Sequence, residues 1–190
     1  MNTPGHAVVN LLLLGNRDRP RLFAPIALGS ILPDLPMLLF YAYQKVWFAT
    51  SERVIWSESY YLAGWQAFFD VFNSLPLVAL AALVAYAMKS PRVVALCASM
   101  MIHAVCDLLL HRHDAHRHFF PFWEWRFVSP VSYWDPRYYG SVVSSIEVVV
   151  VVVGASWLFK QYPGKGARGF LGFILASYVL YLAYAFVVWV

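Results

Sequence analysis

Long apolar segments with almost no charge recur along the whole chain, and they constrain its fold more than any other feature. A helix needs about 20 apolar residues to cross the hydrocarbon core of a bilayer. Segments of about this length, separated by polar connections, cover residues 22–44, 64–88, 93–110, 142–159 and 169–190. We therefore predict an all-α, polytopic integral membrane helix bundle of four or five transmembrane helices.

The composition supports this prediction and excludes several other classes of protein. Of the 190 residues, 61% are hydrophobic and 13% are charged, whereas a soluble domain carries about 25% charged residues. The net charge of +4 comes from dispersed Lys and Arg, without a basic run that would bind a nucleic acid. We find no internal repeat and no linker, so residues 1–190 are expected to form a single transmembrane domain.

The first apolar segment, residues 6–15, is too short to cross a bilayer because ten helical residues rise about 15 Å. We predict a short N-terminal half-helix, which either dips into the membrane or lies along its surface. Its basic residues follow the apolar run, which is the wrong order for a signal peptide.

The basic residues of the connections suggest a topology. If the segments are correct, one side carries eight basic residues and the other six, so the positive-inside rule favours the first side as cytoplasmic. The histidine-rich segment that follows residue 110 is then non-cytoplasmic, and we expect a bacterial inner membrane protein. The cytoplasmic set is Arg17, Arg19, Arg21, Lys89, Arg92, Lys160, Lys165 and Arg168.

Ionisable residues inside the apolar segments mark candidate functional positions, since each costs roughly 3 kcal/mol in hydrocarbon. Asp34 lies near mid-depth between Pro33 and Pro36, which break the helix and free carbonyl groups, a feature tolerated where the backbone lines a cavity. The others fall in the half of the membrane that faces the histidine-rich segment, so we expect a shared polar cavity. They are Asp70, His103, Asp107 and Glu147.

The densest motif is MIHAVCDLLLHRHDAHRHFFP at residues 101–121. Its residues His103, Asp107 and His111 have the spacing i, i+4, i+8 and therefore share one stripe of a helix. An imidazole and a carboxylate one turn apart can bind the same divalent metal, or the carboxylate can orient the imidazole. This spacing favours metal or acid–base chemistry over histidines that only solvate the end of a helix.

The remaining site residues are predicted from depth and from proximity to this motif. His6 is either an ordinary residue at a helix start or, if residues 17–21 form a turn, reaches the depth of Asp34. In the second case His6, Asp34, His103 and Asp107 form a metal site. We expect proton transfer from one of His111, Asp114 and His116.

Three further features have two interpretations each. Asp70, with Asn73 and Ser74 on the same predicted helix face, either lines the cavity or forms an interhelical hydrogen-bond patch. Glu147 is a cavity residue or the last residue of a capping box in the sequence SSIE, residues 144–147. The ten aromatic residues of segment 118–140 form an interfacial lid or a hydrophobic gasket with no role towards substrate.

Three motifs occur in order along the chain: TPGH at 3–6, LGSILPD at 28–34 and HAVCD at 103–107, followed by His111. They resemble the LexA-regulated, membrane-bound, predicted metal-dependent hydrolases, whose pattern is T-P-x-H, L-G-x-x-x-P-D and H-x-x-x-D on a later helix. The resemblance covers residues 1–121. It implies metal-supported hydrolysis at the membrane, with His6, Asp34, His103 and Asp107 as the matching positions.

The chain departs from that family at residues 69–74. The family commonly has an H-R-G-x-T-H-S stretch, and this chain reads FDVFNS. Either Asp70 and Asn73 substitute for the missing groups, or the metal site is depleted. A cobalamin-biosynthesis function has no support, because there is no P-loop glycine pattern and neither cysteine has a nucleophile's setting.

Two functions of different classes follow from these observations. The first is a membrane hydrolase that uses a divalent metal, zinc by its His and Asp ligands, on a lipid or lipid-linked ester or phosphoester near the headgroup level. The alternative is a small non-catalytic carrier or metal-binding membrane subunit, because broken helices with carboxylates also build transporter ion sites. A carrier of this size would act as a homo-oligomer.

Overall fold

The fold is all-helical, as predicted, in a computed structural model that describes the backbone of residues 1–189 and the side chains of residues 1–183; Val190, the predicted end of the last segment, lies outside the described residues. Within that part we find nine α-helices, short 3-10 turns and no strand. The helices are α1 (Thr3–Leu14), α2 (Phe23–Ile31), α3 (Leu35–Phe48), α4 (Glu52–Ser57), α5 (Ala63–Phe72), α6 (Leu75–Ala87), α7 (Pro91–Leu110), α8 (Gly140–Gln161) and α9 (Lys165–Trp189).

Five helical segments of the described chain are long and apolar enough to cross a membrane. This number agrees with the prediction of four or five transmembrane helices, and the protein is an integral membrane protein. Two of the spans contain a break, so each consists of two helices. The spans are Pro20–Phe48, Ala63–Ala87, Pro91–Leu110, Gly140–Gln161 and Lys165–Ala183.

The short N-terminal helix α1 lies inside the bundle and not along its surface. It packs against α2, α7 and α8, and Ala7, Val8 and Leu11 are at most 1% exposed. The turn after Leu14 reverses the chain, so that α1 and α2 run side by side as a hairpin. This arrangement brings the first turn of α1 to the depth of the break in the first span.

That break is a 3-10 turn at Leu32–Asp34, where Pro33 and Pro36 lack the N–H groups that a continuous α-helix requires. The second span is also broken, which corrects the prediction of one helix over residues 64–88. Here α5 ends at Phe72, and the Ser74 side chain caps α6 by accepting a hydrogen bond from the backbone N–H of Leu77. Ser74 therefore does not continue the helix face of Asp70.

The capping-box interpretation of Glu147 is wrong. Helix α8 begins at Gly140, so Ser144 lies inside the helix, where its hydroxyl donates to the carbonyl of Tyr133. The Glu147 side chain is buried and accepts hydrogen bonds from the backbone N–H and side-chain amide of Asn2 and from the Tyr178 hydroxyl. Glu147 thus ties the N-terminal segment to α8 and α9.

Candidate metal centre

Two imidazoles converge on one carboxylate in the interior of the bundle. His6 Nε2 lies 2.9 Å from Asp107 Oδ1, and His103 Nε2 lies 2.9 Å from Asp107 Oδ2. The two imidazole rings stack with their centroids 3.6 Å apart. All three residues are at most 1% exposed. Helix α1 supplies His6, and α7 supplies the other two residues from adjacent turns.

A backbone carbonyl group determines which nitrogen of His103 is free. Near the break of the first span, the carbonyl oxygen of Ser30 lies 2.8 Å from His103 Nδ1. A carbonyl oxygen only accepts hydrogen bonds, so Nδ1 carries a proton, and Nε2 is the nitrogen that faces Asp107 and can bind a metal ion in the neutral ring. Metal-binding histidines are commonly oriented by a hydrogen bond of this kind.

The Nε2 atoms of His6 and His103 are buried and form no well-aligned hydrogen bond, although each lies close to Asp107. Buried polar atoms are usually satisfied by a hydrogen bond, water or an ion. The ligand atoms that His6, His103 and Asp107 offer all lie within 4.8 Å of one another, so this group can hold a metal ion.

Asp34, the fourth predicted ligand, lies beside this group. Its Oδ1 is 3.5 Å from His103 Nε2, and its Oδ2 accepts a hydrogen bond from the Thr3 hydroxyl. The structure thus brings together all four predicted residues from α1, the 3-10 turn and α7. Thr3 was not predicted to be a site residue, although it belongs to the TPGH motif.

The three residues predicted for proton transfer line a small adjacent cavity of about 100 Å³, together with Asp34. His111 connects this cavity to the metal group: its Nε2 lies 3.1 Å from Asp107 Oδ1 and its Nδ1 lies 3.2 Å from Asp114 Oδ2. His116 lies opposite, with its ring centroid 5.8 Å from that of His111. The cavity therefore has proton-carrying groups on its wall.

Electrostatics favour a charged pair at the cavity wall. Burial opposes the imidazolium form of His111, but Asp107 and Asp114 outweigh this effect and raise its pKa to about 9. Burial likewise opposes the charged form of Asp114, but the hydrogen bond and positive charge of His111 lower the pKa of that carboxyl group.

Sequence reasoning missed the two tyrosines of the cavity, Tyr60 and Tyr133. The ring of Tyr133 stacks on His111 with centroids 4.8 Å apart. Burial, followed by the charge of Asp114, raises the pKa values of both phenols above their usual range, so they remain neutral donors. The aromatic segment contained Tyr133, but nothing in its local pattern distinguished this residue from its neighbours.

Asp70 and Asn73, predicted as possible cavity residues, are not among the residues that line this cavity. Asp70 accepts hydrogen bonds from the backbone N–H and Nε of Arg117, and His116 Nδ1 lies 3.5 Å from it. Asn73 donates from its side chain to the carbonyl of Pro33 at 3.3 Å. Asp70 therefore anchors the histidine-rich segment, and Asn73 joins the two helix breaks.

The aromatic segment divides into an outward and an inward part. Phe122, Trp123 and Trp125 are exposed, and the last two stack with centroids 5.3 Å apart. Tyr133 instead covers His111. Trp123 and Trp125 have the amphipathic rings that are enriched at membrane–water interfaces.

No family model, curated protein or solved structure matches the chain.

Proposed function

We propose that the protein is a membrane-embedded, metal-dependent hydrolase that acts on a lipid or lipid-linked ester or phosphoester. The observation that carries this proposal is the convergence of His6, His103 and Asp107 in which the Ser30 carbonyl orients His103. Two imidazole nitrogens and a carboxylate oxygen form the donor set of many catalytic zinc sites, so zinc is the proposed metal. Such an ion, when bound, lowers the pKa of a water molecule and stabilises the anionic transition state.

The residues of the chain have distinct roles in this proposal. His6, His103 and Asp107 would hold the ion, while Asp34, supported by Thr3, lies where it can act as a further ligand or orient His103. His111 borders both Asp107 and the cavity, so it can deliver a proton to the leaving oxygen of a substrate held there. The close contact of His111 Nδ1 with Asp114 Oδ2, at 3.2 Å, helps to position the ring.

The position of the cavity favours a lipid substrate. The cavity lies at the end of α7, where the chain leaves the membrane, and it borders the segment that carries the exposed aromatic residues Phe122, Trp123 and Trp125. A headgroup bond would reach this depth without extraction of the acyl chains. We further propose a bacterial inner membrane location with the histidine-rich segment on the non-cytoplasmic side, which is the side with fewer Lys and Arg residues.

Hydrolysis by the purified full-length protein in lipid nanodiscs tests this proposal. Carboxylic ester and phosphoester lipids would be supplied with added zinc or manganese, and product would be measured by mass spectrometry. We expect His103→Gln and Asp107→Asn to lower turnover by at least about 100-fold, since each removes a ligand. The half-exposed His113→Gln is the matched control and should retain activity. Turnover by the wild type that both ligand variants retain would contradict the proposal.

The carrier alternative has one specific observation in its favour. Both broken spans meet at their breaks, through the hydrogen bond from Asn73 to Pro33, and interrupted helices are how many transporters build ion sites. Uptake of zinc into vesicles by the wild type, in the absence of hydrolysis, would favour this function. The small bundle would then act as a homo-oligomer.

A further inference from the structure

A second apolar cleft lies at the opposite end of the bundle from the candidate metal centre. It has a volume of about 720 Å³, within the range of roughly 300–1,000 Å³ of small-molecule sites. One wall is α2, with Phe23, Ala24, Ala27 and Leu28, and the other is formed by the α8–α9 turn and Phe170. This cleft plays no part in the proposed hydrolysis.

The mouth of the cleft is basic. Arg17 is one of the lining residues, and Lys165 and Arg168 lie in the first turn of α9, beside lining residues Gly166 and Ala167. Arg17 approaches Asp18 at 3.7 Å, but both side chains are more than 70% exposed, so this pair holds the guanidinium only weakly. An anion at the mouth would therefore meet Arg17 directly, and it would feel the positive charge of Lys165 and of Arg168, whose guanidinium lies over the Phe159 ring.

An apolar cleft between membrane helices, with cations at its mouth, matches one kind of occupant. Acyl chains would fill the apolar walls, and a phosphate would meet the basic residues at the level of the headgroups. A zwitterionic lipid, whose phosphate is balanced by its own cation, would gain less from these charges, and a second copy of this chain would bring the same positive charge towards them. We infer that the cleft binds an anionic phospholipid of the surrounding leaflet.

Native mass spectrometry of the full chain in mixed detergent micelles tests this inference. The probes are phosphatidylglycerol and phosphatidylcholine at equal concentration. We expect preferential binding of phosphatidylglycerol, which falls by about 5-fold for each cation removed, since each contributes about 1 kcal/mol. Arg17→Gln/Lys165→Gln should therefore bind it about 25-fold more weakly. Lys89→Gln/Arg92→Gln removes the same charge away from the cleft and should leave binding within about 2-fold.

A second variant separates the cleft from the surface charge. Ala24→Trp fills the cleft from the exposed side of α2 and should abolish the preference, whereas Ala81→Trp, on the exposed face of α6, should preserve it. Circular dichroism and monodispersity confirm that each variant folds. Equal binding of the two lipids, unchanged preference in Ala24→Trp, or an equal loss in Lys89→Gln/Arg92→Gln would each overturn the inference. A stable dimer that Ala24→Trp disrupts would assign the cleft to a second copy instead.

Discussion

His103 is oriented by a backbone carbonyl group and not by another side chain. The helical spacing of His103 and Asp107 predicts that they share a face, but it does not predict that Ser30 supplies the acceptor for His103 Nδ1. That contact exists because the first span breaks at Leu32–Asp34 and the carbonyl groups beside the break accept hydrogen bonds from other helices. The orientation of the His103 ring is thus a consequence of the proline break in another span.

His118, in the histidine-rich segment, should make the fold sensitive to acid. Its Nδ1 donates to the carbonyl of His116, and its Nε2 is buried without a partner. Burial, aided by the charge of His116, lowers the pKa of His118 to about 4 from an ordinary value of 6.5. Between pH 6.5 and pH 4 the unfolded chain therefore binds a proton at His118, whereas the folded chain does not. The free energy of unfolding consequently falls as the pH falls through this window.

We expect this single group to remove up to about 3 kcal/mol of stability between pH 6.5 and pH 4. His118→Asn retains a side-chain N–H donor and loses the titration, so its thermal unfolding temperature should depend less on pH in that window. Circular dichroism in detergent at both pH values measures the difference. His113→Asn, at a half-exposed position, is the control. An unchanged pH dependence in His118→Asn would show that other groups cause the acid sensitivity.

At the scale of elements, the close approach of α2 and α7 holds the candidate site together. A methyl group at Gly29 would lie 2.3 Å from the carbonyl oxygen of Leu96 and 2.8 Å from Ser99 Cβ. Small residues permit this kind of contact between membrane helices. Adjacent hydrogen bonds link α1, α2 and α7: the Ser99 hydroxyl donates to the carbonyl of Ile26, and the Asn10 side-chain amide donates to Ser99.

Gly29→Ala should therefore destabilise the protein by about 1–3 kcal/mol, since the atoms that it meets are largely backbone and cannot rotate away. It should also weaken metal binding, because it displaces Ser30 from His103. Gly172→Ala on α9 is the matched control: nothing lies within 4 Å of a methyl group there, and alanine favours a helix. Thermal unfolding of the two variants measures the difference. Equal unfolding temperatures would refute the role of this helix contact.

The elements also show what the sequence could and could not predict. The proline positions around Asp34 correctly predict a break, because proline removes a helix donor wherever it stands. The second break at Asn73 and Ser74 was missed, since Pro76 alone is compatible with the first turn of a helix or with a kink. The capping-box interpretation of Glu147 was wrong because the helix begins earlier, at Gly140. The local sequence pattern does not reveal this start.

At the scale of the whole molecule, the spans were predicted well because the bilayer imposes a length and an apolar composition on each of them. The hairpin between α1 and α2, which the turn residues suggested, predicted that His6 reaches the depth of Asp34, but not its direct contact with Asp107. The cavity beside His111 was not predictable in detail, because Tyr60 and Tyr133 reach it from long connections whose path depends on tertiary contacts.

The topology should place the two polar ends of the bundle on opposite sides of the membrane. Val128→Cys, beside the histidine-rich segment, and Gly166→Cys, in the first turn of α9, are both exposed positions. In a background without Cys97 and Cys106, an impermeant thiol reagent added outside intact cells should label Val128→Cys only. Labelling of Gly166→Cys alone would invert the orientation, and labelling of both in intact cells would contradict a membrane-spanning bundle.

The metal content of the purified protein tests the central claim most directly. Elemental mass spectrometry of the wild type, purified and then dialysed with zinc, should find about one ion per chain. His103→Gln, Asp107→Asn and His6→Gln should each lose most of it, and Asp34→Asn should weaken zinc binding by about 10- to 100-fold if it orients a ligand. His113→Gln should bind as the wild type does. A wild type that binds neither zinc nor manganese, or ligand variants that retain full occupancy, would contradict the account.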